Sequence, residues 1–427
     1  MTFLLILLLL VLAAAVCLAL YVARRWLPRM RIEIRQLRDA ARTVVILEKQ
    51  LELSYQVQMA RQTPALPIAS ATSPFLDGSW TLLAGDGNGW QADAWYKVRG
   101  LAIHRGVLHA SLTGPKADGP GGQVWRLDGK AGIQVGGDLA GSWRADDSFV
   151  DHLFSKDENT LLAAEKTGVW QLSADSWTFM SDGLSLNEKC GPYCFADWNG
   201  QVVMGQWGDP HVACLNKDGR WSYLPDPNRG WGKGVRTIYC LAVFKGVLYA
   251  GTGTGKLAGP ASAVWRFDGE QWEQVGGAGI RGSWAREGIP FVLSLTVFGE
   301  CLVATISRPV DTHAAASSVW LFDGDRWGPL GVGVTPALMG ESLIMNDAIV
   351  YQGRLIVATG HSTRCASQIW MLDASQNWQP VGPAELGAPA PGEGGWWVYR
   401  LCTDGHRLYA STAGHSGAAK IFCFTPT

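Results

Sequence analysis

The sequence predicts an all-β fold, and three observations lead to this prediction. Glycine (52 residues) and tryptophan (21 residues) are abundant in the chain of 427 residues, whereas charged residues make up only 17% of it. This composition is typical of many short strands joined by tight turns rather than of long helices. The third observation is a motif that returns along the chain, a Val-Trp pair followed by Asp-Gly and a second Trp.

The clearest copy of this repeat runs from Thr237 to Gly277. It contains four short apolar or alternating runs, namely residues 238–243, 247–251, 263–267 and 271–275. The first two runs are separated by Lys245-Gly246 and the last two by Asp268-Gly269. Asp-Gly between alternating apolar residues is a strong signal for a hairpin with a type I′ turn, so each copy is predicted to be a four-stranded antiparallel meander.

Six complete copies and one truncated copy follow one another with a period of about 50 residues. The copies span Gly100–Gly137, His152–Met180, Tyr193–Leu224, Thr237–Gly277, Leu293–Gly331, Ala348–Gly382 and, for the truncated copy, Tyr399–Phe424. The truncated copy lacks a fourth strand, and residues 75–84 ("FLDGSWTLLA") carry the end of a repeat without its beginning. We therefore predict that residues 75–84 supply the missing strand.

A four-stranded twisted sheet cannot bury both of its faces alone, so such units pack face to face in a ring. The prediction is a seven-bladed β-propeller over residues 75–427, closed by strands from both ends of the chain. The repeat spacing resembles that of kelch and WD-type proteins, although the signatures of both families are absent. The resemblance concerns the architecture alone, and it implies the propeller fold without naming a closer family.

Tryptophan recurs at two positions of the repeat. One set is predicted on the third strand and the other on the fourth: Trp125, Trp170, Trp265, Trp320 and Trp370, then Trp80, Trp177, Trp221, Trp272, Trp327 and Trp378. A large flat side chain at the same strand position in nearly every unit suits packing between blades. We interpret both sets as structural.

Residues 1–25 are predicted to be a transmembrane anchor. Phe3 to Ala23 contains no charged residue and is long enough to cross a hydrocarbon core as a helix. Six arginines follow this run: Arg24, Arg25, Arg29, Arg31, Arg35 and Arg38. By the positive-inside rule this flank stays in the cytoplasm, which predicts an outside N-terminus and a cytoplasmic propeller. Nine scattered cysteines agree with a reducing compartment.

Residues 26–62 are predicted to form a helical stalk, and residues 63–74 a linker rich in Pro and Ala. Apolar residues of the stalk alternate in steps of three and four: Leu37, Ala40, Val44, Leu47 and Leu51. This spacing is typical of a coiled coil, through which the chain would form a homo-oligomer. An amphipathic helix lying against the membrane or another subunit fits the same residues.

Six tryptophans fall in connections between blades, outside the packing pattern: Trp90, Trp143, Trp231, Trp284, Trp396 and Trp397. A ring of exposed indoles would bury a partner segment or stack on sugar rings, and these residues are the candidate binding site. The alternative is that these indoles fold back over the neighbouring blade.

No catalytic residues, cofactor or metal site are predicted. The histidines that come nearest to a metal site lie in the predicted loops between second and third strands, at His211, His313, His361 and His415, and none has a second ligand at a suitable spacing. Gly251 to Lys256 ("GTGTGK") lacks the spacing of a phosphate loop. A formal net charge of −1 does not favour nucleic acid as a partner.

These features together predict a membrane-tethered, non-enzymatic propeller. Its predicted role is a protein-interaction scaffold or an accessory subunit of a membrane complex. A carbohydrate-binding head on a membrane stalk is the alternative, and it requires a propeller that faces outward. An enzyme with a site on the loop face is the third hypothesis.

Overall fold

The computed structural model describes most of the chain after residue 75. The described residues are 76–85, 89–90, 97–114, 121–129, 131–144, 149–187, 189–227, 230–232, 234–254, 262–284, 291–307, 318–330, 343–361, 368–381, 396–414 and 419–426. The predicted anchor, stalk and linker lie outside these ranges. Within the ranges given, no helix is long and apolar enough to cross a membrane.

The described residues form an all-β structure of antiparallel strands. Twenty-eight strands fall into seven sets of four, and each set is called a blade here. The strands of blades 1 to 3 are β2 (Lys97–His104), β3 (Val107–Thr113), β4 (Gln123–Asp128), β5 (Ala131–Gly136); β6 (Val150–Ser155), β7 (Leu161–Glu165), β8 (Gly168–Ser173), β9 (Ser176–Phe179); β10 (Gly191–Trp198), β11 (Gln201–Trp207), β12 (Val212–Leu215) and β13 (Trp221–Tyr223).

Blades 4 to 7 repeat the same order of four strands. They comprise β14 (Thr237–Phe244), β15 (Val247–Gly253), β16 (Ala263–Phe267), β17 (Trp272–Gly277); β18 (Phe291–Phe298), β19 (Cys301–Ser307), β20 (Ser318–Phe322), β21 (Trp327–Leu330); β22 (Leu343–Tyr351), β23 (Arg354–His361), β24 (Gln368–Leu372), β25 (Trp378–Pro380); β26 (Trp396–Thr403), β27 (Leu408–Gly414), β28 (Ile421–Pro426) and β1 (Gly78–Ala84). The four runs predicted between residues 238 and 275 are confirmed as β14 to β17, and the two recurrent tryptophan sets lie on third and fourth strands as predicted.

One turn differs from its prediction. Lys245 and Gly246 both have positive φ (51° and 77°), as a type I′ turn requires, but at Asp268-Gly269 only the glycine does (109°). The Asp268 carboxylate instead accepts hydrogen bonds from the backbone N–H groups of Glu270 and Gln271, both at 2.8 Å. An aspartate that closes the turn with its side chain does not need the left-handed conformation.

The first described strand completes the last blade, as the sequence predicts. β1 pairs antiparallel with β28, with Trp80 opposite Phe424 in the register. The two rings lie 5.2 Å apart, and the Trp80 indole N–H also donates to the Val381 carbonyl of blade 6 at 2.9 Å. Strands from distant parts of the sequence therefore close the sheet of blade 7 and attach it to blade 6.

The first strands of consecutive blades contact one another in a complete circle, β2 to β6, then β10, β14, β18, β22, β26 and back to β2. Apolar clusters fill the spaces between blades; one of them unites Val264 of blade 4 with Leu302 and Ile306 of blade 5, all fully buried. Burial of apolar surface between sheets is what stabilises such a ring. The arrangement is consistent with a β-propeller.

Every first strand carries a β-bulge at the same position. The register shifts by one residue at Arg99, Asp151, Tyr193, Tyr239, Leu293, Asn346 and Tyr399. An inserted residue bends the strand and changes the direction of its side chain. We call these seven residues the axial ring.

The carbonyl group just before the inserted residue links neighbouring blades. Ser411 of blade 7 donates to Val98 O at 3.1 Å, and Ser307 of blade 5 donates to Met345 O at 2.8 Å. Four other junctions have the equivalent bond, from Ser111 to Val150, Cys194 to Ile238, Cys240 to Val292 and Asn346 to Val398. Each is worth about 1 kcal/mol, and buried partners left unsatisfied would cost more.

The fourth strands are joined by a second repeated bond. Trp177 Nε1 donates to Val135 O at 2.7 Å, Trp221 Nε1 to Met180 O at 2.6 Å, and Trp327 Nε1 to Val275 O at 2.8 Å. Each indole thus reaches the fourth strand of the preceding blade, or the residue that follows it. The structural interpretation of this tryptophan set is confirmed.

We expect the closure strand to determine whether the ring folds cooperatively. Deleting residues 75–84 removes the partner of β28 and exposes Phe424, which is fully buried, so the sharp unfolding transition should be lost. Deleting residues 1–62 should leave a soluble chain that unfolds cooperatively. Urea unfolding followed by tryptophan fluorescence measures both, and similar transitions for the two deletions would contradict the prediction.

Candidate functional site

The candidate tryptophans between blades do not form an exposed ring. Trp90, Trp143, Trp231 and Trp284 are buried, between 3% and 6% exposed. The structure therefore corrects the expectation of a loop-face binding site at these four residues. They follow the alternative stated above, in which the indoles fold back onto the neighbouring blade.

The burial of these four indoles has a common geometry. Trp284 packs edge-on against Trp320 (5.7 Å between ring centroids) and Trp327 (5.1 Å) of the following blade. Its indole N–H donates to Ser262 O, just before the third strand of the preceding blade, at 3.1 Å. The same pattern joins Trp143 to Trp170, Trp177 and Gly122 O. These connecting tryptophans seal the junctions between blades.

The other two candidates, Trp396 and Trp397, lie at the start of the first strand of blade 7 rather than in a loop. Trp397 is partly exposed and stands opposite Gly360 of blade 6, where any Cβ would collide with the Trp397 Cβ. The side chain of Trp396 is outside the described residues. Of the six candidates, Trp397 is the one placed beside the axial ring.

In the described part of the chain, the candidate histidines do not form a cluster. His211 lies between two carboxylates, with Nδ1 3.1 Å from Asp226 and Nε2 3.3 Å from Asp209. His313, His415 and the side chain of His361 are outside the described part. Among the residues that are described, no group of His, Cys, Asp and Glu is arranged to hold a metal ion.

The axial ring brings together groups that the sequence separates by up to 300 residues. Five of its seven members are partly exposed, namely Arg99, Tyr193, Tyr239, Leu293 and Tyr399, whereas Asp151 and Asn346 are buried. The hydrogen bond between Tyr399 of blade 7 and Tyr193 of blade 3 spans the ring. The inserted side chains therefore converge on the axis, and we regard this ring as the candidate functional site.

Positive charge is concentrated on the side of the ring formed by blades 7 and 1. Arg99 forms an ion pair with Asp151 and lies over the Phe149 ring, 4.8 Å from its centroid. The Tyr399 ring has the Lys97 ammonium 5.8 Å and the Arg400 guanidinium 5.3 Å from its centroid. Cations at these distances are attracted to an aromatic face.

These cations change the acidity of Tyr399. Burial opposes its ionisation, but the charges of Arg99, Lys97 and Arg400 and a hydrogen bond from Tyr193 outweigh burial and lower the pKa of Tyr399 to about 8. Burial has the opposite net effect on the other two phenols: it raises the pKa of Tyr193, and it raises the pKa of Tyr239 to about 12. Tyr399 therefore lies at the point in the ring that best accommodates negative charge.

A buried carboxylate holds Arg400 in place. Asp347 lies 4.0 Å from the Arg400 guanidinium and accepts hydrogen bonds from Ser294 Oγ and the Leu401 N–H, at 3.1 and 2.9 Å. Arg400 Nε donates to the Arg99 carbonyl at 3.3 Å. Burial, and then the Arg400 charge, lower the pKa of His152 to about 3, so this neighbour adds no charge.

Blades 3 to 5 give the opposite side of the ring an aromatic surface. Tyr193 and Tyr239 meet edge to face with centroids 5.4 Å apart, and Tyr239 meets Phe291 in the same way at 5.3 Å. Leu293 continues this surface as the inserted residue of blade 5. The ring thus combines a charged side with an aromatic side, which suits recognition of an amphipathic molecule.

Sequence reasoning did not identify the axial ring. Its seven members are of five residue types, and although tyrosine recurs three times, no single residue type marks the position in every blade. The available signal was weak: an apolar residue precedes each inserted residue. Register shifts of this kind become visible only when the second strand of each blade is paired with the first.

No protein-family model matches this chain, and no curated protein matches it. Solved structures do resemble it. They include extracellular domains of a putative hybrid two-component system and a putative one-component system, both from B. thetaiotaomicron, with 11% and 10% identity and TM-scores of 0.53. The likeness covers 78% and 81% of this chain but only 39% and 40% of those chains, and at this identity it concerns the fold.

Virginiamycin B lyase from Staphylococcus aureus is also similar, with 13% identity, a TM-score of 0.49, and coverage of 82% of this chain and 99% of the lyase. A similarity at this level carries no conclusion about activity. The absence of enzymatic activity stays a prediction.

The prediction of a cytoplasmic propeller is wrong by this comparison, because the domains that share the fold at TM-scores of 0.53 are extracellular. The prediction depended on the positive-inside rule, which does not apply to large domains. Positive residues set the orientation of short loops near a membrane span, whereas large domains are translocated largely regardless of charge.

The cysteines do not require a reducing compartment either. All seven described cysteines are unpaired, and six of them are buried. Burial raises the pKa of Cys194 to about 12, and its thiol donates to a backbone carbonyl. A buried thiol of raised pKa reacts slowly, so free cysteines of this kind can persist in an oxidising compartment.

Proposed function

We propose that this chain is a membrane-tethered binding protein, in which a seven-bladed β-propeller outside the cytoplasm takes up a ligand at the axial ring. The observation that carries the proposal is the convergence of Arg99, Tyr193, Tyr239 and Tyr399 on the axis. Partly exposed polar and aromatic groups that converge in one place are typical of small-molecule sites.

Two further observations support the proposal. The extracellular domains that share the fold belong to signalling systems, which suits a sensory or binding role. The uncharged run from Phe3 to Ala23 provides a tether in the sequence.

The location can be tested by labelling a new cysteine. Lys217→Cys places a thiol in the exposed turn between β12 and β13, whereas most described native cysteines are buried. A membrane-impermeant maleimide should label this variant on intact cells above the background of the unchanged chain. Labelling that appears only after permeabilisation would contradict an outside propeller.

The binding role can be tested by thermal unfolding of the full chain in detergent against a panel of neutral sugars, amino acids and organic acids. A ligand present at 100 times its Kd stabilises the folded state by about 2.7 kcal/mol, which gives a clear rise in Tm. The rise should disappear in Tyr239→Ala and persist in Phe179→Ala, an aromatic control on an outer strand that is 53% exposed. A rise that is unchanged in Tyr239→Ala and Arg99→Gln would contradict the axial site. Neutral sugars in the panel also test the carbohydrate-binding alternative.

A protein partner is the second candidate, as an accessory or scaffold role requires. Leu82, Ile133 and Phe179 are exposed apolar residues on the fourth strands of the consecutive blades 7, 1 and 2. Apolar residues on neighbouring outer strands favour protein contact. A partner that co-purifies with the chain should be lost from Phe179→Asp but retained by Val297→Asp, an exposed apolar control on β18. Equal retention by both variants would contradict contact at this edge.

A further inference from the structure

Two kinds of hydrogen-bonded link join the inner strands of neighbouring blades. The first is a backbone pair at the start of a first strand, and it joins blades 3 and 4, 4 and 5, 6 and 7, and 7 and 1. The second is the bond to the carbonyl before the inserted residue, which joins the same blades and also blades 1 and 2 and blades 5 and 6. Within the described residues, the junction of blades 2 and 3 has neither link.

The residues of blade 2 explain the missing bond. His152 stands where Cys194 stands in blade 3, and Ala164 stands where Ser111 stands in blade 1, so these two positions supply the donor elsewhere in the ring. Alanine has no donor in its side chain, and the His152 Nδ1 is buried without a partner. The Pro192 carbonyl, which precedes the inserted residue of blade 3, therefore receives no bond from these two positions.

Two buried nitrogen atoms at this junction gain from its opening. His152 Nδ1 and Trp207 Nε1 have no hydrogen-bond partner. His152 lies against Phe195 of blade 3, and Trp207 lies against Phe149 of blade 2, with ring centroids 6.0 and 5.9 Å apart. A polar group that is hidden from water without a partner destabilises the closed arrangement, and water reaches it when the blades separate. Parting these inner strands therefore requires less free energy than parting two linked blades.

The outer part of the same junction is well held. Trp221 Nε1 donates to the Met180 carbonyl at 2.6 Å, and the Trp221 backbone N–H donates to the Asp182 carbonyl at 2.8 Å. An apolar cluster that includes Leu162 and Met204, both fully buried, also joins the two blades. Bonds at the rim and missing links near the axis are the arrangement of a hinge, about which the inner strands can separate.

We propose that the axial ring has an open state, in which the first strand of blade 3 (β10) moves away from blade 2 and the hydrogen bond between Tyr193 and Tyr399 breaks. This inference depends on the proposed binding function and concerns the regulation of the same site. Tyr193 is the inserted residue of β10, and its bond to Tyr399 spans the ring in the closed state. Movement of β10 therefore widens the ring. A ligand that binds the open state more tightly than the closed state shifts the population toward it.

A buried thiol between two blades measures this opening. Ala164→Cys places the thiol between blades 2 and 3, and the matched control Ala358→Cys places it at the same repeat position between blades 6 and 7, which have both links. Both alanines are fully buried. In the full chain in detergent, iodoacetamide should label Ala164→Cys about tenfold or more faster than Ala358→Cys, as mass spectrometry can measure. Global unfolding exposes both thiols alike, so a difference in rate reports local opening.

Tyr193→Phe tests the connection between the phenol bond and the opening. In the Ala164→Cys chain it should raise the labelling rate about fivefold, because it removes the bond across the ring and keeps the aromatic side chain. Tyr239→Phe, which changes the phenol of blade 4, should leave that rate unchanged. Tyr193→Phe should also leave the labelling of Ala358→Cys unchanged. An equal rise at both thiols would indicate general destabilisation and contradict a local opening.

Urea unfolding of each variant confirms that stabilities are comparable before the rates are compared. Labelling of Ala164→Cys that is no faster than that of Ala358→Cys would overturn the proposal, and so would a rate that Tyr193→Phe does not change. Leu162→Cys and Ile356→Cys, a matched pair two residues earlier and also fully buried, decide the result if Ala164→Cys does not fold. These measurements use no ligand, so a closed junction would overturn the open state and leave the proposed binding function to its own test.

Discussion

The inserted residue on each first strand is the constraint on which the rest of the structure depends. It frees the preceding carbonyl to accept a hydrogen bond from the neighbouring blade, as Ser411 to Val98 and Ser307 to Met345 illustrate. It also directs the inserted side chain toward the axis, where Tyr193 and Tyr399 meet. One backbone irregularity, repeated seven times in the described part of the chain, therefore joins the blades and builds the candidate site.

The outer part of the ring is held together in a different way. Tryptophans of third strands, fourth strands and blade connections form clusters such as Trp284, Trp320 and Trp327. These side chains bury large areas, and Trp177, Trp284 and Trp327 also donate their indole N–H to a backbone carbonyl of a neighbouring blade. Because these side chains are buried, the abundance of tryptophan in this chain reflects packing between blades rather than a binding site. Exposed apolar residues include Ile133 and Phe179 on the outer strands.

The inner part of the ring is lined by the inserted residues of the first strands, which are polar or aromatic except for Leu293. Asp347 stabilises Arg400 with help from Ser294 and the Leu401 N–H, and this support allows a guanidinium to remain charged in a partly buried place. The resulting positive field lowers the pKa of Tyr399 to about 8 against the effect of burial.

The sequence by itself determined the all-β class, the number and bounds of the repeats, the strand positions of Trp265 and Trp272, and the origin of the missing strand at residues 75–84. These features follow from alternation, turn residues and repetition, which act between residues close in the chain. Only the tertiary structure decided that Trp143 and Trp284 are buried, that Asp268 closes its turn with its carboxylate, and that Arg99, Tyr193 and Tyr399 share one site. Burial and convergence depend on how neighbouring blades pack and on the register shift within each first strand. The shifted position is not occupied by the same residue type in every blade, so it had to be observed in three dimensions.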